Sequence, residues 1–242
     1  MTDLSKLFQS MFALVFLAAL FACGSNTDTA KDDAKKADSP AVTPPPPTPP
    51  PFTPFDVVQI STKVKSYAKW RPLFDADSVN RIPAGLQTIT VVREDADSNA
   101  LMVVCKATDL DKAKAFSTSP KLKEAMAKSG VISKPVSETF HIIRLNMASN
   151  EKQSVVITHK VKDFAAWLKE FDGEGPAARA SQGLIDVALG RGIPDSNMVE
   201  LVFDVKDTAK ARASIYSEDK KKLMMKAGVE GKPKITFYHD AQ

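Results

Sequence analysis

The sequence predicts an α+β fold made of two fused copies of one β-α-β-β-α-β unit. Three observations predict it. The C-terminal stretch repeats the stretch before it residue by residue, and each copy carries Val-, Ile- and Thr-rich strand patterns and short amphipathic helix patterns in one order. The third is that a proline-rich break in composition precedes both copies and separates them from the N-terminus. Of 242 residues, 43% are hydrophobic and 26% charged, which is globular composition. More than half of the 16 prolines, however, lie between Pro40 and Pro54, so that segment is not core.

The apolar run from Met11 to Ala22 follows Lys6 and is about twelve residues long, shorter than the roughly 20 that span a bilayer. It reads as an export signal. The sequence Leu20-Phe21-Ala22-Cys23-Gly24-Ser25 resembles the bacterial lipoprotein signal, although Asp3 dilutes the basic start. The resemblance implies that residues 1–22 are removed and that the Cys23 thiol carries lipid. The membrane is then a partner through that lipid, and the protein is extracytoplasmic. Gly24, where an Asp would favour inner-membrane retention, implies the periplasmic face of the outer membrane if the cell is Gram-negative. A plain signal peptide with an incidental cysteine is the alternative. Residues 23–54 form the linker, whose prolines favour polyproline II at about 3.1 Å per residue. A spacer is expected rather than a recognition motif, since no basic anchor flanks the prolines.

The two copies span residues 55–146 and 147–242 and superpose at an offset of roughly 97 to 98 residues. Lys63-Val64-Lys65 and Trp70 fall on Lys160-Val161-Lys162 and Trp167, and Phe74-Asp75 falls on Phe171-Asp172. After one extra residue in the second copy, Arg81 falls on Arg179, Gly85 on Gly183, Arg93 on Arg191 and Asp97-Ser98-Asn99 on Asp195-Ser196-Asn197. Lys134-Pro135 and His141 fall on Lys232-Pro233 and His239.

In each copy a strand opens the unit, Val57 to Val64 or Val155 to Val161. A helix follows, because Tyr67, Trp70, Leu73 and Phe74, or Phe164, Trp167, Leu168 and Phe171, recur at helical spacing. Two strands come next, Leu86 to Val92 with Leu101 to Lys106, or Ile185 to Leu189 with Val199 to Val205, joined by the Asp-Ser-Asn turns. A second helix is capped by Asp109 or Asp207, runs toward Met126 or Met224 and stops at Gly130 or Gly228. Ser119-Pro120 is expected to break it in the first copy. A last strand, Glu138 to Leu145 or Lys234 to His239, completes the ferredoxin-like order.

The Tyr/Phe-x-x-Trp-x-x-x-Phe-Asp helix, Ser119-Pro120-Lys121-Leu122-Lys123-Glu124-Ala125-Met126 with Ser129-Gly130-Val131, and Ala227-Gly228-Val229-Glu230-Gly231-Lys232-Pro233 resemble the dimeric α/β-barrel superfamily of antibiotic-biosynthesis monooxygenase-like proteins. The resemblance covers Phe55 to Gln242. It implies two ferredoxin-like units packing their sheets into a barrel, helices outside and a small-molecule cavity within, here built inside one chain. Packing physics agrees with this pairing: the run Leu101-Met102-Val103-Val104-Cys105 makes both sheet faces apolar, and two helices cover only one.

Several residues are candidates for chemistry. His159 shares its strand phase with Val155, Ile157 and Val161, so it either faces the cavity as base or donor, or lies on the helix side or rim. Its first-copy counterpart is Thr62. Trp70 and Trp167 are helix-to-sheet core by spacing, while monooxygenase members of the superfamily use a tryptophan beside a phenolic substrate. Arg81 and Arg179 could hold a carboxylate or phosphate at a barrel mouth, as could Arg93 and Arg191, or form solvated ion pairs. His141 and His239 are equivalent ligand-binding candidates on the last strands, near each other or at opposite ends. Cys105 reads as a small buried hydrophobe, and Lys220-Lys221-Lys222 as a solvated helix face.

Two cysteines and three histidines exclude a disulfide scaffold and a cysteine-histidine zinc cluster. No metal and no cofactor are expected. Haem-binding members share the superfamily fold, but no residue here points to haem. A formal net charge of +4 without a dense basic tract gives no nucleic-acid footprint. The function expected is small-molecule binding by a membrane-anchored lipoprotein. Its rivals are a cofactor-independent monooxygenase-like enzyme and a non-catalytic interaction module of the cell envelope. The interior volume of the barrel separates them: roughly 300 Å³ or more with a few convergent polar groups favours a ligand site, and an unbroken core defeats both small-molecule readings.

Overall fold

The computed structural model describes residues 52–241, so the export signal, Cys23 and the linker before Phe52 lie outside the described residues. The first copy contains β1 (Phe55–Lys63), α1 (Tyr67–Ala76), α2 (Ser78–Arg81), β2 (Leu86–Glu94), β3 (Ala100–Ala107), α3 (Leu110–Ser117), α4 (Pro120–Lys128) and β4 (Val136–Leu145). The second contains β5 (Gln153–Val161), α5 (Phe164–Glu174), α6 (Pro176–Ser181), β6 (Leu184–Gly192), β7 (Met198–Val205), α7 (Thr208–Ile215), α8 (Glu218–Lys226) and β8 (Val229–Asp240).

Each expected helix is two helices. In the first copy the break before α4 falls at Ser119-Pro120, as expected, but the second copy breaks as well and has no proline there. Ser217 caps α8 by accepting from the Lys220 amide, as Ser119 accepts from Leu122. The serine is the common cause, because its hydroxyl replaces the helical partner that the first-turn amides lack. β8 begins at Val229 rather than Lys234, since Val229 and Glu230 pair with Val161 and Lys160 of β5.

All ladders are antiparallel, and the eight strands close into a barrel in the order β1-β3-β2-β8-β5-β7-β6-β4. Each copy contributes one four-stranded sheet. Two seams join them: β2 to β8 through Val92, Arg93 and Glu94, and β4 to β6 from Phe140 to Leu145. Strand alternation sorts the side chains. Leu101, Val103 and Cys105 pack under the first copy's helices with Trp70, while Met102 turns inward with its strand neighbour Val92 to meet Val156 and Tyr238 of the other copy. Each such buried side chain contributes roughly 1.5–3 kcal/mol, and the inward set makes that contribution only when both copies are present.

Gly183 turns the chain from α6 into β6 at φ +82°, and a Cβ there would meet the Asp207 carbonyl oxygen at 2.7 Å. Gly183→Ala should therefore destabilise the protein by about 1–3 kcal/mol in thermal or urea unfolding. Gly173→Ala, where a Cβ meets nothing within 4 Å, should not.

Candidate functional site

The barrel interior is filled. Gln59, Ser61, Thr158, Glu200, Thr236 and Tyr238 leave about 10 Å³ between them, room for one water. The expected cavity within the barrel is thus absent there. Instead the interior holds a carboxyl group that sequence reasoning missed. Glu200 is 2% exposed and accepts a hydrogen bond from Gln59 Nε2 of the other copy. Burial pushes its pKa up to about 8, so it is protonated at neutral pH. The pseudo-equivalent residues of Gln59 and Glu200 are Val156 and Met102, which pack together in the same interior. A charged residue at mid-strand within Met198–Val205 was the available signal.

The larger space lies elsewhere, between the second copy's sheet and its helices. It measures about 70 Å³ and is lined by His159, Trp167, Phe171, Leu201, Phe203 and Met224 among others. His159 forms part of its wall, so it faces the helices and not the barrel axis. β5 places it in phase with Val155, Ile157 and Val161, all in the helix-side core. Its ring lies 5.5 Å from that of Trp167 at 59°. His159 is 5% exposed, and neither Nδ1 nor Nε2 has a hydrogen-bond partner. Burial lowers its pKa to about 4, which leaves a neutral imidazole with one donor and one acceptor unmet. Thr62, its counterpart, is partly exposed and bonds Ser133.

One side of the cavity carries charge. Arg179 stacks on the Phe171 ring at 3.8 Å, donates to the Phe171 carbonyl at 2.9 Å, and forks onto Asp186 at 2.8 and 2.6 Å. Glu174 lies 3.7 Å from Arg179 and also pairs with Lys220 of α8. Lys220 thereby departs from the expected solvated face, its side chain only 13% exposed, whereas Lys221 and Lys222 pair with Glu218 and Asp219 in solvent. Arg81 braces the first copy likewise, 3.7 Å over Phe74 and bonded to its carbonyl at 2.7 Å. Both arginines are therefore buried helix braces rather than open forks at a barrel mouth.

The remaining candidates stay apart. Trp70 stacks on Phe74 at 4.6 Å within the first-copy core, whereas Trp167 borders the cavity. His141 and His239 are sent to opposite seams, where each meets a carboxylate, Asp56 at 2.6 Å and Asp95 at 3.2 Å. Arg93 and Arg191 bond the carbonyls of Ser98 and Ser196 and hold the Asp-Ser-Asn turns. Cys105 is fully buried, and burial pushes its thiol pKa up. Among the described residues no cluster of three His, Cys, Asp or Glu could hold a metal. Haem does not fit beside His159 either, because about 70 Å³ falls far below the hundreds of Å³ that larger ligands occupy.

No protein-family model matches the chain, and no curated protein matches its sequence. Solved structures do match in fold. One is an anthrone oxidase-like protein, with TM-score 0.52 and 14% identity over 78% of this chain and 92% of that one. Another is a candidate monooxygenase from Fusobacterium nucleatum subsp. nucleatum, with TM-score 0.51 and 14% identity over 78% and 93%. A ferredoxin-fold protein from Listeria monocytogenes, related to antibiotic biosynthesis monooxygenases, aligns with TM-score 0.47 and 12% identity over 79% and 97%. The fold is the ferredoxin-like dimeric α/β barrel. Such identities establish architecture and leave activity to the residues of this chain.

Glu200 gives a pH test of the barrel interior. The folded state keeps this proton up to about pH 8, while the unfolded chain releases it near 4.5, so the group's contribution to stability falls as pH rises between them. The unfolding free energy of Glu200→Gln relative to wild type should therefore climb by roughly 1.4 kcal/mol per pH unit across that window. Urea denaturation of both proteins at several pH values checks this. A flat difference would mean that Glu200 ionises freely in the folded protein.

Proposed function

We propose that this protein binds a small, mostly apolar molecule in the helix-side cavity of its second copy, with His159 as the polar anchor. In this reading the first copy completes the barrel, and a lipid on Cys23 tethers the domain to the membrane outside the cytoplasm. One observation carries the proposal: a neutral histidine sits at the wall of a mostly apolar space with both ring nitrogens unpartnered. Each unmet buried polar group costs about 1–3 kcal/mol, and native cores rarely keep such groups without a reason. A ligand carrying one hydroxyl, carbonyl or amide would satisfy His159 while its apolar part meets Trp167, Phe171 and Leu201.

The names of the fold neighbours raise a second reading, oxidation of the bound molecule. Trp167 beside His159 is the arrangement that favours it. The low pKa of His159 weighs against this histidine as the general base. From a group of pKa about 10, such as a phenol, to an imidazole of pKa about 4, proton transfer is uphill by about 8 kcal/mol. Hydrogen bonding is the role that a neutral imidazole performs here without that cost.

Native mass spectrometry of the protein purified from its own host tests the binding reading. An adduct lost on denaturation is expected in wild type and absent in His159→Leu. The same substitution should stabilise the ligand-free protein by about 1 kcal/mol or more, since it removes two unmet polar atoms from a buried site. Loss of stability without loss of an adduct would mark His159 as a packing residue.

A further inference from the structure

We infer that α8 is a hinged lid over the His159 cavity, latched to α5 by the ion pairs Lys220–Glu174 and Lys226–Glu170. The inference rests on the binding reading for its purpose, and on the helix's own packing for its substance. A cavity of about 70 Å³ is less than half of the roughly 150 Å³ that holds benzene in an engineered protein core, so a one-ring ligand needs a wall to move.

The walls differ in how firmly they are held. β5, β6 and β7 belong to the closed barrel. α5 is anchored by buried Phe164 and Trp167, and α7 by buried Ala211 and Ile215. α6 is anchored by Arg179, which is 3% exposed and bonded to Phe171 and Asp186. α8 differs from these three, because none of its residues is buried. It reaches the cavity through Lys220, Leu223 and Met224, and Ala227 follows at its end.

Both ends of α8 are suited to turning. The chain leaves α7 at Tyr216, and Ser217 is extended at φ −68° and ψ 151° before the helix starts. Gly228, after the helix, has φ +83°, a conformation open to glycine at little cost. Local opening draws on segments with few buried apolar contacts, and α8 has that character.

What holds it down is charge. Lys220 Nζ donates to Glu174 Oε1 with the two side chains 13% and 15% exposed, and Lys226 Nζ lies 2.8 Å from Glu170 Oε2. The first copy lacks this arrangement: Leu122 stands for Lys220 and Leu73 for Glu170, and the only ion pair of α4 is internal, Lys128 with Glu124, among the described residues. The latch therefore occurs in the copy that has His159. Lys220 sits well inside the cavity rim, so its pair is weakly screened and is the stronger of the two.

Hydrogen exchange read by mass spectrometry, with ¹⁹F NMR of 4-fluorophenol as a one-ring probe, tests the latch on the full chain. Lys220→Met should speed amide exchange across residues 218–226 by about tenfold and leave β7 unchanged, and Lys226→Met should give a smaller acceleration. 4-Fluorophenol should associate faster with the Lys220→Met protein than with wild type. Unchanged α8 exchange in a variant that carries both Lys220→Met and Lys226→Met would overturn the latch, as would acceleration spread equally over β7. If exchange accelerates in α8 alone while no form binds the probe, the latch stands and the proposed binding of one-ring molecules fails. If the probe binds wild type and variants at one rate, binding stands and the lid is overturned.

Discussion

Each four-stranded sheet of this protein buries side chains on both faces, an apolar core under its helices and an inner face that mixes Met102, Val156 and Tyr238 with Gln59 and Glu200, and its own helices cover only the first. That constraint organises the rest. Covering the second face requires another sheet, and the duplicated copy supplies it within the same chain, so Met102 meets Val156 and Tyr238 in the interior. Closure also pairs strand edges that would otherwise template association, with β2 joining β8 and β4 joining β6. The interior is then too full for a ligand. A larger space, about 70 Å³, lies between the second copy's sheet and its helices.

Fusion of two copies removes the symmetry that a pair of identical chains would enforce, and the second copy has used that freedom. Where the first has Thr62, Leu73, Thr88 and Leu122, the second has His159, Glu170, Asp186 and Lys220. The consequences are visible around the paired arginines. Arg179 places Nε on Asp186, whereas Arg81, whose copy has Thr88 at the position equivalent to Asp186, keeps a buried Nε without a partner. The first copy keeps the arginine's stacking on its helix and has no carboxylate at the matching strand position, which suits a scaffold. The second copy surrounds its cavity with balanced charge, two cations on Glu174 and Asp186, so the site has no strong net field to select a charged ligand.

His159 and Glu200 show how environment divides two ordinary titratable groups. Both are held by burial in the neutral form, the histidine with its pKa near 4 and the carboxyl near 8. Glu200 has found a partner in Gln59 across the copies, and it reads as part of the barrel's packing. His159 has found none, which is why the functional reading falls on it. Two buried groups thus carry different weight, and hydrogen-bond satisfaction decides between them.

Element order, the repeat, the turns and the need for two sheets to meet were legible in the sequence, because periodicity, capping and alternation are local properties that any strand or helix must show. Trp70 and Trp167 were legible as core for the same reason. The phase of His159 was also correct, since residues two apart share a face, but alternation does not say which face meets the helices. That choice depends on sheet twist and on where the second copy docks. Lys220 was hidden in a run of lysines, three of which look alike in sequence and only one of which meets Glu174. Glu200 was hidden because its partner is Gln59 in the other copy, far away in the chain. The sequence by itself determined which elements form and that they must pair; tertiary structure alone decided which polar groups lose water and whether they regain a partner, since desolvation is a property of packed neighbours rather than of neighbours in sequence.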